Sequence, residues 1–237
     1  MKIILNTIII FGYIFSNLSL AIAEVVEIFQ IKGEVKVRQG VEEFWQPAVL
    51  GQFIKDVDTI LTGEKGEVVL KLADGTKFIL GPNAILDIAD LRTITDKELF
   101  IFLTREKLNK VDRNKEKTPL RIGNVSVVHG ASRDSQEVLP LPADPFLITR
   151  IKNGIRALYN QEYYPNAIIK LKKIANNDDF NDECGEFEYY LGSSFEALNN
   201  LGQAIDTYNL LIEKNKEINC NNSPWVQQAK IKLQKLK

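Results

Sequence analysis

Residues 66 to 80 read GEVVLKLADGTKFIL. The runs Glu67-Val-Val-Leu-Lys-Leu72 and Lys77-Phe-Ile-Leu80 are short, rich in Val, Ile and Leu, and interleaved with polar residues. Asp74-Gly75 between them is a strong hairpin signal, because glycine accepts a positive φ. Toward the N-terminus, Gly33-Glu-Val-Lys-Val-Arg38 repeats the pattern, and Gly63-Glu-Lys-Gly66 and Gly81-Pro82-Asn83 read as turns. Short strands at this spacing, from Val25 to about Val128, predict an all-β region: a sandwich, a barrel or a short β-solenoid.

Toward the C-terminus the period changes. Residues 132 to 143 carry two prolines and read as a linker. Asp144-Pro145 then has the form of a helix start, with Asp as N-cap and Pro at the first helical position. Beyond it Ile151, Ile155 and Leu158, then Ala167, Ile168, Leu171 and Ile174, follow helical spacing. Ser223-Pro224 opens a last helix by the same logic, with Trp225, Ala229, Leu233 and Leu236 on one face. The expectation is a multidomain chain: an all-β domain over 24–131, a linker over 132–143 and an all-α helical domain over 144–237. The two domains are expected to fold separately.

Residues 1–23 have the grammar of a secretory leader. Lys2 is followed by the apolar run IIIFGYIF and by Ala21-Ile22-Ala23, a small-x-small cleavage pattern. Cleavage after Ala23 is the expectation, which makes the mature chain periplasmic and not integral to a membrane. No Cys follows the apolar run to anchor a lipid. Loss of the leader removes one Lys and no acid. The balance of 30 Lys+Arg against 31 Asp+Glu then moves from −1 to −2. That lacks the basic excess of a dedicated nucleic-acid binder. One His and two Cys leave too few ligands for a classical zinc site. They also leave little room for Ser-His or Cys-His chemistry. No catalytic, metal or cofactor site is expected. Asp58 and Asp74 sit in turn motifs and are read as turn formers, not as a glycosidase carboxylate pair.

The ordered series Gly33, Trp45, Gly51, Asp58-Thr59-Ile60-Leu61-Thr62 and Asp74-Gly75-Thr76, continued by Thr118-Pro119 and Val128-His129-Gly130, resembles the FecR-type periplasmic domain family. The resemblance covers about residues 28 to 131. Val57 stands where that family usually has Gly, and His129 and Ala131 stand where Arg and Thr are usual. Trp45 reads as a plug of the β core. The resemblance implies a role in envelope signalling. With only the leader ahead of the β region, direct sigma-factor control is not expected, and a periplasmic relay stays open as an alternative.

Residues 148 to 237 look like tetratricopeptide repeats, 34-residue helix pairs with small and aromatic residues at fixed places. Leu191-Gly192, Phe195, Ala204 and Tyr208 match that pattern, and Leu158, Tyr164, Ala167 and Leu171 form a weaker earlier copy. Gly154 falls one residue too early to be its packing glycine. Trp225 and Ala229 suit a cap helix. The resemblance implies a groove lined by first helices, with Lys152, Arg156, Tyr189, Ser193 and Glu196 as its candidate contacts. Reversing Lys152 and Arg156 to Glu is expected to weaken binding at little cost in stability.

Cys184 would lie at the start of one repeat's first helix and Cys220 just past the end of its second. These are neighbouring points in an antiparallel pair, and an oxidising compartment favours a disulfide between them. The expected job is that of a noncatalytic envelope adaptor or scaffold whose repeats bind a protein segment. The alternatives are a signalling relay and a binder of envelope glycan such as peptidoglycan, with Trp45 or tyrosines stacking on sugar.

Overall fold

The structure, a computed structural model, describes residues 25–42, 44–110, 146–175, 183–217 and 220–236. The leader, the linker, His129 and the Thr118-Pro119 pair lie outside them, as does the Asp144-Pro145 helix start.

The N-terminal region contains β1 (Val26–Lys32), β2 (Val35–Arg38), β3 (Gln46–Pro47), β4 (Phe53–Ile54), β5 (Thr59–Thr62), β6 (Glu67–Lys71), β7 (Lys77–Leu80) and β8 (Ile85–Asp87). They form two four-stranded sheets with the orders β4-β1-β6-β7 and β3-β2-β5-β8. All ladders are antiparallel. Two antiparallel sheets meet the sandwich expectation, and among the described residues there is no parallel coil of a β-solenoid. Val68 and Leu70 of β6 and Phe78 and Leu80 of β7 point inward. There they join Ile28, Val37, Ile60 and Leu86, so both sheets share one core. The Asp-Gly signal is the β6–β7 turn: Gly75 has φ +85°, and Asp74 Oδ1 accepts the Thr76 N–H at 2.8 Å.

The strand-like reading to Val128 is overturned over 96–110, and its part over 111–128 lies outside the described residues. A helix, α1 (Asp96–Lys110), starts after the last strand. Its cause is a capping box: Thr95 Oγ1 accepts the Glu98 N–H at 3.2 Å and Glu98 Oε2 accepts the Thr95 N–H at 2.9 Å. The following Leu-Phe-Ile-Phe-Leu run satisfies either period, and the cap decides for helix. Leu99 and Leu103 face the core of the helical region, not that of the sheets.

The remaining helices are α2 (Leu147–Asn160), α3 (Tyr164–Ala175), α4 (Glu186–Ala197), α5 (Leu201–Glu217) and α6 (Pro224–Leu236). Pro224 opens α6, and Ser223 Oγ accepts the Val226 N–H at 3.1 Å as its N-cap. A Cβ on Gly192 of α4 would stand 2.6 Å from the Tyr208 ring of α5, so only glycine permits this pair to close.

The helices are not a separate body. Leu158 and Ala167 belong to the β core, and Tyr163 meets Phe78 edge-on with ring centroids 5.4 Å apart. Helix α2 lies along the β7/β8 flank. A Cβ on Gly154 would be 2.1 Å from the Ile85 carbonyl oxygen, so this glycine is a packing glycine after all, toward the sheet. Arg150 donates to the Thr62 carbonyl at 2.6 Å, and Asn153 to the Asn83 carbonyl at 2.8 Å. The Gln161 amide pairs with Ile79 of edge strand β7, taking its N–H at 2.7 Å and giving to its carbonyl at 2.8 Å. From α3, Lys170 binds Asp90 and, at 3.0 Å, Asp87.

Candidate functional site

Asp58 and Thr62 of the β region are spent on its own turns. Asp58 accepts the N–H groups of Gly40 and Lys55 at 2.9 and 2.8 Å. Thr62 Oγ1 donates to the Gly81 carbonyl at 2.6 Å and accepts the Ala84 N–H at 2.9 Å. Trp45 is not a core plug: it is only half-buried, with the Arg38 guanidinium 5.4 Å from its ring centroid.

The helical region concentrates its unusual side chains on one strip across α2, α4 and α6. Tyr159 of α2 meets Tyr190 of α4 with centroids 5.0 Å apart, and also Tyr164 of α3 at 5.5 Å. Tyr189 and Tyr190 in turn meet Trp225 of α6 at 5.3 and 5.5 Å. Edge-on and tilted contacts of this kind suit the ring quadrupole. Tyr159, Tyr164 and Trp225 keep part of their rings in solvent, whereas Tyr189 and Tyr190 are buried.

Charged groups border the strip. Glu186 takes Arg156 at 2.5 Å and Lys152 at 3.6 Å. Glu196 accepts the Tyr208 hydroxyl at 2.8 Å and the Lys232 ammonium at 3.0 Å. Burial, and then the carboxylate its hydroxyl faces, hold the Tyr208 phenol far above its ordinary value. Burial works against the charge of Lys232, but Glu196 outweighs it and raises the ammonium above its usual range. Glu186 does the same for Arg156.

Of the five expected groove residues, Lys152 and Arg156 meet at Glu186, and Glu196 lies ten residues further along α4, with two corrections to the expectation. Tyr189 and Ser193 are buried, Tyr189 against Trp225 and Ser193 beside the Tyr208 hydroxyl at 3.0 Å, so neither presents itself to a ligand. Lys152 and Arg156 hold the buried Glu186, so reversing both strands that carboxylate among like charges. It would not be cheap. Tyr159, Trp225 and Lys232 instead form the accessible part of the strip. Trp225 was visible in the sequence only as a residue on the face of the last helix. Tyr159 and Lys232 had no local signal.

Cys184 and Cys220 are joined in a disulfide, with Cα atoms 5.2 Å apart. Ser223, the cap of α6, also donates to the Cys184 carbonyl at 2.9 Å. The two bonds tie the entry of α4 to that of α6, and so bring Trp225 onto Tyr189 and Tyr190. A cleft of ≈ 220 Å³ opens between α1 and the α4–α5 turn. Leu99, Phe100, Leu103, Phe195 and Leu198 make its apolar wall. Among the described residues no group of His, Cys, Asp and Glu converges in the manner of a metal site, and no helix is long and apolar enough to cross a membrane.

No family model matches the chain, and no curated protein matches it. Among solved structures it is similar to a cell surface anchoring domain. That match has 27% identity, covers 31% of this chain and 96% of that one, and has a TM-score of 0.28. A likeness this loose carries no argument about fold or function.

Proposed function

We propose that the chain is a noncatalytic, exported adaptor of the cell envelope, with a FecR-like β region and a tetratricopeptide-like stack that binds a protein segment. The hairpins α2–α3 and α4–α5, the capping α6 and the close Gly192–Tyr208 approach support the repeat reading. The observation that carries the function is the strip Tyr159-Tyr190-Tyr189-Trp225. It crosses three successive first helices and is bordered by Arg156 and Lys232. Half-exposed aromatics suit a peptide that offers apolar side chains, and the Arg156–Glu186 and Lys232–Glu196 pairs beside them present both signs of charge to its polar groups. The same strip is poorly suited to proton chemistry. Tyr208 is pushed up toward permanent protonation, and Lys232 and Arg156 toward permanent charge, so these groups exchange no proton near neutral pH.

Glycan binding is the second reading, favoured by the part-exposed rings of Tyr159 and Trp225. A photocrosslinking residue at Tyr159 in intact cells separates the two. The adaptor reading expects a discrete protein adduct that is absent when the same residue replaces Lys65 of the β region. Retention on the sacculus with no protein adduct would replace the adaptor by the glycan binder.

A further inference from the structure

The β fold has two flanks where both sheets end. The chain itself covers one, at β7 and β8, with α2. The other is made by β3 and β4, one edge strand from each sheet and consecutive in sequence. From Phe44 to Ile54 the chain carries no charged residue. On this stretch Phe44 is 75%, Val49 62%, Leu50 65% and Phe53 67% exposed. Edge strands ordinarily carry charges that discourage pairing. Here that work is left to Pro47, which blunts β3, and to the two-residue length of each strand.

Among the described residues the backbone of β4 has no partner on its outer side. Ile54 lies opposite Val26 and Phe53 opposite Glu27, and the Ile28 N–H donates to the Gln52 carbonyl at 2.9 Å. In an antiparallel ladder the inward and outward pairs alternate. The Gln52 carbonyl and Ile54 therefore bond toward β1, the Gln52 N–H donating to the Val49 carbonyl instead, and the N–H and C=O of Phe53 point away from β1.

We propose that this flank is where two copies of the chain associate, β4 against β4 about a two-fold axis at Phe53. A residue placed opposite its own copy in an antiparallel pair exchanges both backbone hydrogen bonds, and a two-fold interface brings the same patch to both sides. The two β4-β1-β6-β7 sheets then join into one across the dimer. The four apolar side chains expose on the order of 600 Å², against roughly 800 Å² per partner in a standard interface. The stretch thus supplies most of the needed area, and Lys55, which the two-fold sets opposite Gly51 of the other copy, is exposed at its margin. This assignment is independent of what the helical strip binds.

Sedimentation equilibrium of the chain as isolated from cells tests it. The expected result is a mass twice that of the monomer. Phe53→Lys should raise the dissociation constant at least about tenfold, by placing an ammonium in the contact, and its melting curve should stay close to that of the parent. Phe53→Cys should yield a covalent dimer on oxidation, since Cys184 and Cys220 are already paired. The matching change Ile231→Lys, on the exposed face of α6, should leave the mass doubled. A monomer at the highest soluble concentration overturns the proposal and leaves the flank to a different partner. So does a dimer that survives Phe53→Lys unchanged, or a Phe53→Cys variant that does not crosslink.

Discussion

The two flanks of the β fold meet water in opposite ways. At β7 and β8 the neighbouring helix brings directional partners: Gln161 for the backbone of Ile79, Asn153 for the carbonyls of Pro82 and Asn83, Arg150 for that of Thr62. At β3 and β4 the chain presents Phe44, Val49, Leu50 and Phe53 instead. Directional bonds fix register and orientation. Apolar surface fixes neither, but gains most when it is covered. The comparison teaches that the closed flank is where the two regions are keyed to one another, and that the open one is where the molecule is unfinished.

The most damaging way to break the closed flank is Gly154→Leu. A side chain there meets the Ile85 backbone, which cannot yield. A loss of about 5 kcal/mol, large for one substitution, is expected in denaturant unfolding. The Ile79 amide should then lose protection from hydrogen exchange. Lys170→Ala ranks next. It leaves Asp87 and Asp90 without their cation, at a cost of about 3 kcal/mol by the same measurement, less than for a fully buried pair because Asp87 is half exposed.

That ion cluster also makes a pH prediction. Burial opposes the charge of Asp87, but Lys170, and then the Thr59 hydroxyl, outweigh it and hold the carboxyl below its ordinary value. A depressed folded value stabilises fully above the unfolded pKa of about 4, and the gain is lost as pH falls through the folded value. Thermal stability of the parent should therefore decline in acid below about pH 4. Lys170→Met should flatten this decline. Equal acid slopes in parent and variant would mean that the cluster does not link folding to protons.

Removing the disulfide by changing both cysteines to Ser leaves both flanks as they are. The expected cost is about 3 kcal/mol, somewhat under the chain-entropy value of ~4 for a loop of this size. The extra exchange should appear in α4 to α6 and not in the sheets. The smallest effect belongs to Gln161→Ala. It frees one edge N–H and one carbonyl to water and should cost about 1 kcal/mol. Combined with Phe53→Lys it should simply add, because the two positions are on opposite flanks.

The flanks also divide what sequence alone could reveal. Strands β6 and β7 were legible because their alternation and the Asp74-Gly75 turn are local. The start of α6 was legible because Ser223-Pro224 is. The capping box at Thr95 and Glu98 was equally local, yet the Leu-Phe-Ile-Phe-Leu run after it reads as strand, and the strand pattern prevailed over the cap. The partnership of Gln161 with Ile79 spans 82 residues and has no local trace. Gly154 looked like a misplaced repeat glycine because its partner is a strand of the other region. For the candidate strip, the sequence located α4 but not which of its faces is covered. That depends on α5 and α6 closing over Tyr189 and Ser193.

Helix α2 has a mechanical consequence. Its contacts with the sheets run from Arg150 to Gln161, a span of roughly 16 Å along the helix axis at 1.5 Å per residue. A tension pulling the helical stack along that axis loads these contacts together, in shear, and none can be peeled off first. A pull across the axis would open them one at a time, starting from the Gln161 end. If something bound to Trp225 and Tyr159 drags on the molecule, the joint is strong in one direction and weak in the other. An optical trap with handles placed for each geometry should read a clearly higher rupture force for the axial pull.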